Sequence, residues 1–346
     1  MINFCKADIG RKEYKAVKGV MKSGWLTTGK VTKQFEDEFA DYVGSEYAVA
    51  VSSCTAALKL CLAYLQLPKK SLVIVPSFTF CATAQAAEHI GLELLFGDIK
   101  YNDLCLDNES FIVKNGLKLA KAIVPVHLGG NKAYTNYNIP VVIDSAHRIE
   151  KNQCIDDKYP SCFSFYPTKN MTTGEGGMVA TNDKNLYEWL LKARSHGRNV
   201  LSGHSYEVEF SGWKANMPDI LAAIGLVQLR KLPEMTDKRN QVVKWYNEYL
   251  GREWTGNHLY PYFPQDRNKF MQFMLDNKVQ CSAHFNPLHK MKAYTKHNKF
   301  KLLVTEDLGS REVSLPLYPG LKKRQVKKIC NLIHKYEQNE RTMYQR

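Results

Sequence analysis

Residues Cys162–Met178 read CFSFYPTKNMTTGEGGM, and the lysine in this stretch, Lys169, determines how the rest of the chain is interpreted. A short β-like run precedes Lys169 and a glycine-rich turn follows it, so apolar and small residues surround its ammonium group. Partial removal from water lowers the pKa of a lysine and favours the neutral amine, which attacks carbonyl groups. Lys169 is therefore a candidate Schiff-base former, and a solvated loop lysine is the alternative.

Two upstream segments supply partners for this lysine. Residues 141–147, VVIDSAH, contain a continuous apolar run that predicts a buried parallel strand, and the run ends in Asp144. Open α/β sheets bind ligands at the carboxyl ends of their strands. Another predicted strand, Ala48–Val51, leads to Ser53 and a helix whose free N–H groups suit a phosphate. A lysine, a strand-end acid and a phosphate cradle are the groups that a pyridoxal phosphate (PLP) enzyme supplies.

The composition excludes several other classes of protein. The 346 residues suffice for one large and one small domain, and 44% hydrophobic and 24% charged residues are typical of a globular enzyme. Nine scattered cysteines without metal-ligand spacing predict reduced thiols in a cytoplasmic protein and no metal site. We expect no signal peptide and no membrane span, because no apolar run is long enough. The net charge of +14 comes from dispersed lysines, which disfavours a nucleic-acid partner.

Alternating strand and helix patterns predict an α/β fold, with a mostly parallel seven-stranded sheet between layers of helices. The predicted strands are Ala48–Ser52, Leu72–Val75, Glu93–Phe96, Ala122–Val126, Val141–Asp144, Cys162–Phe165 and Gly177–Thr181. We expect a large PLP-binding domain in residues 1–230 and a smaller C-terminal α+β domain in residues 231–346. The passage between them is placed at Lys231–Pro233.

One connection in this predicted sheet is unusually short. Only Gly130–Asn138 separates the fourth strand from the fifth, whereas a crossover between parallel strands normally needs a dozen or more residues. Either the crossover is a minimal loop or one of the two strands is wrongly assigned.

Ordered motifs along nearly the whole chain resemble the DegT/DnrJ/EryC1/StrS family, the nucleotide-sugar aminotransferases of the fold-type I PLP superfamily. The matching segments are Ser23–Gly29, Val75–Phe80, Val124–Gly129, the Asp144 and Lys169 segments, Gly212–Ile220, Ala222–Gly225, His284–His289 and Arg311–Leu317. The resemblance implies a PLP cofactor, a nucleotide-sugar substrate, glutamate as the amino donor and a homodimer with shared active sites.

The resemblance also implies roles for residues around the cofactor ring. Lys169 would form the Schiff base with PLP and then carry protons. Asp144 would pair with the pyridine nitrogen, although a helix N-cap is an alternative role for it. His147 would form a hydrogen bond near the phenolic oxygen. Phe80 would stack on the ring, with Phe78 as the second choice and a core position as the alternative for either.

The cofactor phosphate would be held by two parts of the site. The resemblance assigns it to the backbone amides of Ser53, Cys54 and Thr55 and to the hydroxyl of Ser164. Cys54 stands where family members usually have glycine, so the turn must accommodate a Cβ. Asn216 matches an asparagine that reaches the phosphate from the partner subunit, and its alternative role is a helix N-cap.

Substrate contacts are implied at five further positions. The residues that match the substrate pocket in relatives are Trp25, Thr27, Thr28, His284 and His289. The sequence KANM at Lys214–Met217 resembles the branch that aminates C4 of 4-keto-6-deoxy sugars. The alternatives are a 3-keto sugar aminotransferase, a sugar dehydratase of the same family and a non-catalytic relative. The dehydratase branch carries histidine in place of Lys169, so the lysine favours amino transfer.

Overall fold

The computed structural model of the chain describes residues 1–155, 157–202, 205–297 and 299–344. Its α-helices are α1 (Arg11–Ser23), α2 (Lys30–Val43), α3 (Cys54–Tyr64), α4 (Cys81–Glu88), α5 (Phe111–Gly116), α6 (Lys184–Ala193), α7 (Asp219–Leu250), α8 (Arg267–Asp276), α9 (Leu303–Arg311) and α10 (Lys323–Tyr344). Its strands are β1 (Tyr47–Val51), β2 (Leu72–Pro76), β3 (Glu93–Gly97), β4 (Ala122–Ile123), β5 (Ile143–Asp144), β6 (Ser161–Ser164), β7 (Gly177–Thr181), β8 (Arg198–Ser202), β9 (Ser205–Val208), β10 (Tyr260–Tyr262) and β11 (Val313–Leu315). Short 3-10 helices lie at Leu128–Gly130, Leu288–Lys290 and Lys292–His297.

Strands β1 to β7 form the central sheet, and all seven predicted strand positions are occupied. Strands β3, β2 and β4 are parallel neighbours, as are β5 and β6, whereas β7 is antiparallel to both β6 and β1. Parallel bridges from Ile123 to Val141 and from Val126 to Asp144 join β4 to β5. The strand order is therefore β3-β2-β4-β5-β6-β7-β1, and the predicted mostly parallel α/β fold is confirmed.

The short connection between β4 and β5 is a minimal crossover. The chain passes through the 3-10 turn Leu128–Gly130 and irregular backbone, without an α-helix, before it re-enters the sheet beside β4. Both strands keep their parallel direction, but their regular ladders shrink to two residues each. Strands Ala122–Val126 and Val141–Asp144 were therefore predicted at the right places and too long.

Two layers of helices bury the two faces of the sheet. Val49 and Val51 of β1 belong to the core beneath α3, α4 and α6, while Ala48 and Ala50 face the core beneath α2 and α7. This alternation follows from the two-residue repeat of a strand. Both faces of the sheet are thus covered, and its carboxyl edge is the part that is left for a ligand.

Helix α7 runs through the predicted passage between the two domains. The passage expected at Lys231–Pro233 lies inside this 32-residue helix, which continues through Pro233. Proline removes one helical hydrogen bond, but the flanking turns pack well, and both Leu232 and Met235 are buried. The boundary between residues 230 and 231 accordingly falls within a continuous helix, and the two-domain division stays a prediction.

The C-terminal part has its own apolar core. Strands β10 and β11 pair antiparallel, and Phe270 of α8 and Val326 of α10 pack into the same buried cluster. The basic helix α10 buries its apolar face there. Among the residues described, no helix is both long and apolar enough to cross a membrane.

Candidate active site

A cavity of about 470 Å³ opens at the carboxyl edge of the central sheet. The ends of β1, β5 and β6 meet there with the start of β7, because Gly177 pairs with both Val51 and Ser164. Nine of the predicted site residues line this cavity. They are Ser53, Cys54, Thr55, Phe80, Asp144, His147, Ser164, Lys169 and His284.

Lys169 is half-buried on the loop between β6 and β7. The hydroxyl of Thr172 and the N–H of Thr173 both donate to the carbonyl of Phe165, at 2.8 and 3.0 Å, which closes the loop. Arg239 donates to the Lys169 carbonyl at 3.2 Å. Burial lowers the pKa of the Lys169 amine to about 8, although the Asp144 carboxylate opposes this shift. The geometry therefore presents a nucleophilic amine near neutral pH.

Asp144 is a buried carboxyl group at the end of β5. One oxygen accepts a hydrogen bond from the Thr83 hydroxyl at 2.8 Å, and the other accepts from the Ala146 N–H at 3.0 Å. Burial raises the pKa of Asp144, and these hydrogen bonds oppose the rise. No α-helix begins between β5 and β6 in the residues described, which leave out residue 156. The carboxyl group is thus placed to bind a cation in the cavity, and the structure gives it no helix to cap.

Helix α3 starts at the floor of the cavity. The Ser53 hydroxyl accepts from the Ala56 N–H at 3.1 Å, and the N–H groups of Cys54 and Thr55 precede any intrahelical acceptor. A Cβ on Gly177 would lie 2.5 Å from the Ser53 carbonyl carbon, so only glycine lets β7 approach this turn. The result is a cradle of N–H donors suited to a phosphate.

The side chain of Cys54, which stands where relatives usually have glycine, fits in this cradle because its thiol points towards β5 and β6. Cys54 adopts the first helical position of α3, and its thiol sulfur lies 3.5 Å from the Cys162 carbonyl and 4.0 Å from an Asp144 oxygen. Burial raises the pKa of the thiol, so it stays protonated. The Cys54 side chain therefore points towards the carboxyl ends of β5 and β6.

The two phenylalanines that were candidates for stacking on the cofactor ring, Phe80 and Phe78, differ in exposure. Phe80 is 57% exposed, lines the cavity and lies 6.0 Å from the ring of Phe285. Phe78 is fully buried in the core beneath Val126 and Leu308. Only Phe80 is therefore free to stack on a ligand ring.

Two histidines form one wall of the cavity. His147 accepts from the Gly129 N–H at 3.3 Å, and its ring lies 4.2 Å from the ring of His258. Burial lowers the pKa of both imidazoles, so they are neutral near pH 7. His258 bonds through Nδ1 to the Asn170 amide oxygen at 3.0 Å. No sequence pattern marks His258, because only the fold brings it beside His147 and Lys169.

Four other predicted residues lie outside this chain's cavity. Trp25 is 59% exposed, Thr27 is exposed, and the indole N–H of Trp25 donates to the Thr28 carbonyl at 3.2 Å. The Asn216 amide donates to the Thr28 hydroxyl at 2.6 Å and accepts from the Lys214 ammonium at 2.6 Å. We call Trp25, Thr28, Lys214 and Asn216 the Asn216 cluster.

His289 is placed differently from the prediction. Its ring is fully buried outside the cavity, with Nδ1 2.6 Å from the Ser77 hydroxyl and Nε2 3.3 Å from a Glu306 oxygen. The 3-10 turn Leu288–Lys290 packs it against the loop after β2. His289 therefore does not line the cavity of this chain and has protein partners at both ring nitrogens, and its substrate role stays a prediction.

No group of histidine, cysteine, aspartate and glutamate side chains within the described part of the chain is arranged to hold a metal ion. The cavity instead contains the amine, the carboxylate and the N–H cradle of a fold-type I PLP enzyme. This fold and this set of groups define the class of the protein as a fold-type I PLP enzyme.

Comparison with known proteins identifies the family. The sequence model of the DegT/DnrJ/EryC1/StrS aminotransferase family matches residues 7–334, and the chain belongs to that family. SpsC of Bacillus subtilis, a spore coat polysaccharide biosynthesis protein, is 33% identical over 361 residues, which cover 90% of this chain and 91% of SpsC.

Solved structures agree in fold and in cofactor. PseC of Helicobacter pylori, an aminotransferase involved in pseudoaminic acid biosynthesis, is 26% identical with a TM-score of 0.87 over 96% of this chain and 98% of PseC. Spr1654 of Streptococcus pneumoniae, assigned as a sugar aminotransferase and solved in its PMP form, is 25% identical with a TM-score of 0.89 over 99% of both chains. The chain is thus a PLP-dependent sugar aminotransferase.

The residues of the cavity fit the cofactor. Bound PLP supplies an electron sink for the carbon that loses its proton. The cradle at Ser53–Thr55 would hold the phosphate, and Asp144 would hold a proton on the ring nitrogen. Phe80 would fix the ring plane, and the Lys169 amine would attack the cofactor carbonyl and later move the proton.

Proposed function

We propose that the enzyme transfers the amino group of glutamate to C4 of a nucleoside-diphosphate 4-keto-6-deoxyhexose. The product is the 4-amino-4,6-dideoxy sugar, and the UDP- or dTDP-linked gluco sugar is the first candidate substrate. The observation that carries amino transfer is the Lys169 amine, held in the cavity with its pKa lowered to about 8 by burial. A dehydratase of this family has histidine at that position.

Two further observations support the sugar acceptor. The KANM sequence at Lys214–Met217 resembles the C4-aminating branch, and the Lys214 ammonium donates to Asn216 there at 2.6 Å. PseC and SpsC are named for pseudoaminic acid and for a spore coat polysaccharide, so both work in carbohydrate biosynthesis. A nucleotide sugar is the activated form that such biosynthesis consumes.

We propose in addition that two chains share each active site. The Asn216 cluster is partly exposed and lies outside the cavity of its own chain, although the Asn216 backbone pairs with Val51 just before the phosphate cradle. A partner subunit would bring its Asn216, Trp25, Thr27 and Thr28 to the open side of the cavity. This arrangement gives those residues the cofactor and substrate roles that the resemblance implies.

Two coarser features complete the proposal. We place a large cofactor-binding domain in residues 1–230 and a small domain in residues 231–346, supported by the separate apolar cores. We also propose a cytoplasmic location, because all nine cysteines are free thiols and six of them are buried.

The decisive experiment is a panel assay with glutamate and a set of keto-sugar nucleotides, followed by mass analysis of the products. We expect amination of the 4-keto-6-deoxy sugars and stoichiometric formation of 2-oxoglutarate. Reaction of 3-keto sugars alone would overturn the C4 assignment. Reaction of simple α-keto acids alone would overturn the sugar acceptor.

A further inference from the structure

A buried carboxyl group lies behind the part of the cavity wall that His284 forms. Glu312, between α9 and β11, is fully buried. One of its oxygens, Oε2, accepts from the His284 backbone N–H at 2.6 Å, and the other, Oε1, is 2.5 Å from the Ser314 hydroxyl. That hydroxyl is 3.0 Å from Nδ1 of the His284 ring. The three side chains form a continuous hydrogen-bonded chain that ends at the cavity.

We propose that Glu312 and Ser314 are positioning residues that set which nitrogen of His284 carries the proton, and therefore whether its cavity-facing Nε2 donates or accepts a hydrogen bond. His284 lines the cavity, its ring stacks on Phe4 at 5.3 Å, and its Nδ1 is bonded to Ser314, so we infer that Nε2 is the nitrogen offered to a ligand.

The donor-to-acceptor direction of the hydrogen bonds that link Glu312, Ser314 and His284 depends on one proton. When Glu312 is ionised, both oxygens accept, so Ser314 donates to Oε1 and accepts from Nδ1–H of His284. Nε2 is then a bare acceptor. A proton that enters at Nε2 displaces the Nδ1 proton to Ser314, and the Ser314 proton moves to Oε1 of Glu312. Nε2 is then a donor, Glu312 is neutral, and the histidine never holds a net charge.

The proton resides on Oε1 because Oε2 must accept from the His284 backbone N–H in both states. Burial raises the pKa of Glu312 to about 8, and the hydrogen bonds and Arg267 oppose that rise. Burial and the positive charge of Lys169 lower the pKa of His284 to about 4, which keeps the imidazole neutral. Glu312 is thus the group of the three that changes charge between pH 6.5 and 9.

Titratable and charged groups from several elements influence the relay. The titratable or charged groups that act on Glu312 or His284 are Arg267, Cys281, Lys169, His147 and His258. Arg267 is engaged by Asn286 and the Gly309 carbonyl, so it stabilises the ionised form of Glu312 without a direct ion pair.

The consequence for substrate selection rests on the proposed function. A ketone or phosphate oxygen only accepts hydrogen bonds, whereas a sugar hydroxyl donates or accepts. The protonated state of Glu312 makes His284 a donor for the first kind of group, and the ionised state makes it an acceptor for the second. The relay therefore gives the sugar site a hydrogen-bonding polarity that depends on pH.

The first test uses Glu312→Gln in the PLP-loaded enzyme. The glutamine carbonyl replaces Oε2 and its amide donates to Ser314, so Nε2 of His284 is fixed as a donor. We expect the ratio of variant to wild-type kcat/KM for the keto sugar to change about three- to tenfold between pH 6.5 and 9, the worth of one hydrogen bond. Ser314→Ala breaks the relay. This variant should therefore lack the part of the pH dependence of kcat/KM that the relay gives to the wild-type enzyme between pH 6.5 and 9.

The matched control is Glu306→Gln. The Lys290 ammonium beside Glu306 holds the pKa of that carboxyl at about 2, so it does not titrate in this range. Its ratio to wild type should stay constant from pH 6.5 to 9. A constant ratio for Glu312→Gln as well would overturn the proposal.

The second test reads the tautomer directly and does not need the sugar. In holoenzyme labelled with ¹⁵N-histidine, the His284 resonances are identified by their loss in His284→Gln. We expect the protonated nitrogen to change from Nε2 to Nδ1 as the pH rises through 8, and to stay on Nε2 in Glu312→Gln. A tautomer that ignores both pH and the substitution would overturn the relay, whatever the substrate proves to be.

Discussion

The cavity around Lys169 and the Asn216 cluster differ in where their residues come from in the sequence and in how exposed they are. Lys169, Asp144 and the cradle at Ser53 come from distant parts of the sequence, and the sheet edge brings them together within one chain. The side chains of Asn216 and Thr28 bond to each other, to Lys214 and to the Met217 carbonyl, on a partly exposed surface. The first region collects the groups that would act on the cofactor within one chain, and the second holds polar groups that lie outside that chain's own cavity.

The difference has a physical origin in the sheet. The carboxyl ends of parallel strands present side chains to a common edge, so a single chain can assemble the groups that act on the cofactor. The Asn216 cluster lies on the segments before α7 and α2, and its residues do not line the cavity of their own chain. The comparison predicts that removing cavity groups stops chemistry outright, while removing cluster groups weakens assembly and binding.

The largest effect is expected for Lys169→Ala. Loss of the amine removes both the covalent attachment and the proton carrier, so kcat should fall by about 10⁴-fold or more. Borohydride reduction of the PLP-loaded enzyme and peptide mapping should place the cofactor on Lys169. Lys214→Ala is the matched control from the Asn216 cluster, and it should retain the label on Lys169. A label on another lysine would break the comparison.

The next effect is expected for Asp144→Asn. The neutral amide no longer stabilises a proton on the cofactor ring, and that charge matters most as the reacting carbon loses its proton. We expect kcat to fall about 10²- to 10³-fold with a smaller change in KM and with PLP still bound. Asp183→Asn, at the N-cap of α6 and outside the cavity, should affect stability and leave kcat near that of wild type. Equal rates for Asp144→Asn and wild type would remove Asp144 from the site.

A complementation experiment tests whether the cluster completes the partner's site. Asn216→Ala should lower PLP affinity about 10- to 100-fold, the worth of one hydrogen bond to a charged group. Lys169→Ala and Asn216→Ala chains mixed at low PLP should form heterodimers with one intact site. The mixture should then recover about a quarter of wild-type activity, because half of the dimers each carry one working site. Verified heterodimers without activity would show that each site belongs to one chain.

Sequence patterns predicted the elements that depend on local rules. The apolar runs placed all seven strands of the central sheet. The motif around Lys169 and the acid at the end of β5 were also sufficient to locate the cavity, because their positions follow from the topology of the sheet.

The remaining features depend on tertiary packing. Helix α7 passes through Pro233 because buried neighbours on both sides outweigh one lost hydrogen bond, which no local signal reports. His258 and Glu312 reach the cavity region from the C-terminal part of the chain, and short sequence patterns carry no information about such long-range contacts. The resemblance assigned both His284 and His289 to the substrate pocket because they lie five residues apart in one motif. Of these two residues, only His284 lines the cavity, which a short sequence pattern cannot report.

The smallest effect on catalysis is expected for His289→Ala. His289 is fully buried between the Ser77 hydroxyl and Glu306, so its loss leaves two polar groups without their partner and a cavity in the protein interior. The free energy of unfolding should fall by about 1–3 kcal/mol, measured by urea denaturation of the PLP-loaded enzyme. His284→Ala is the matched comparison, and it should raise KM for the sugar about tenfold because its ring faces the ligand. KM for His289→Ala should stay within about twofold of wild type, since the ring has no free nitrogen to offer a substrate. A rise in KM equal to that of His284→Ala would return His289 to the substrate pocket and would mean that the turn Leu288–Lys290 opens when the sugar binds.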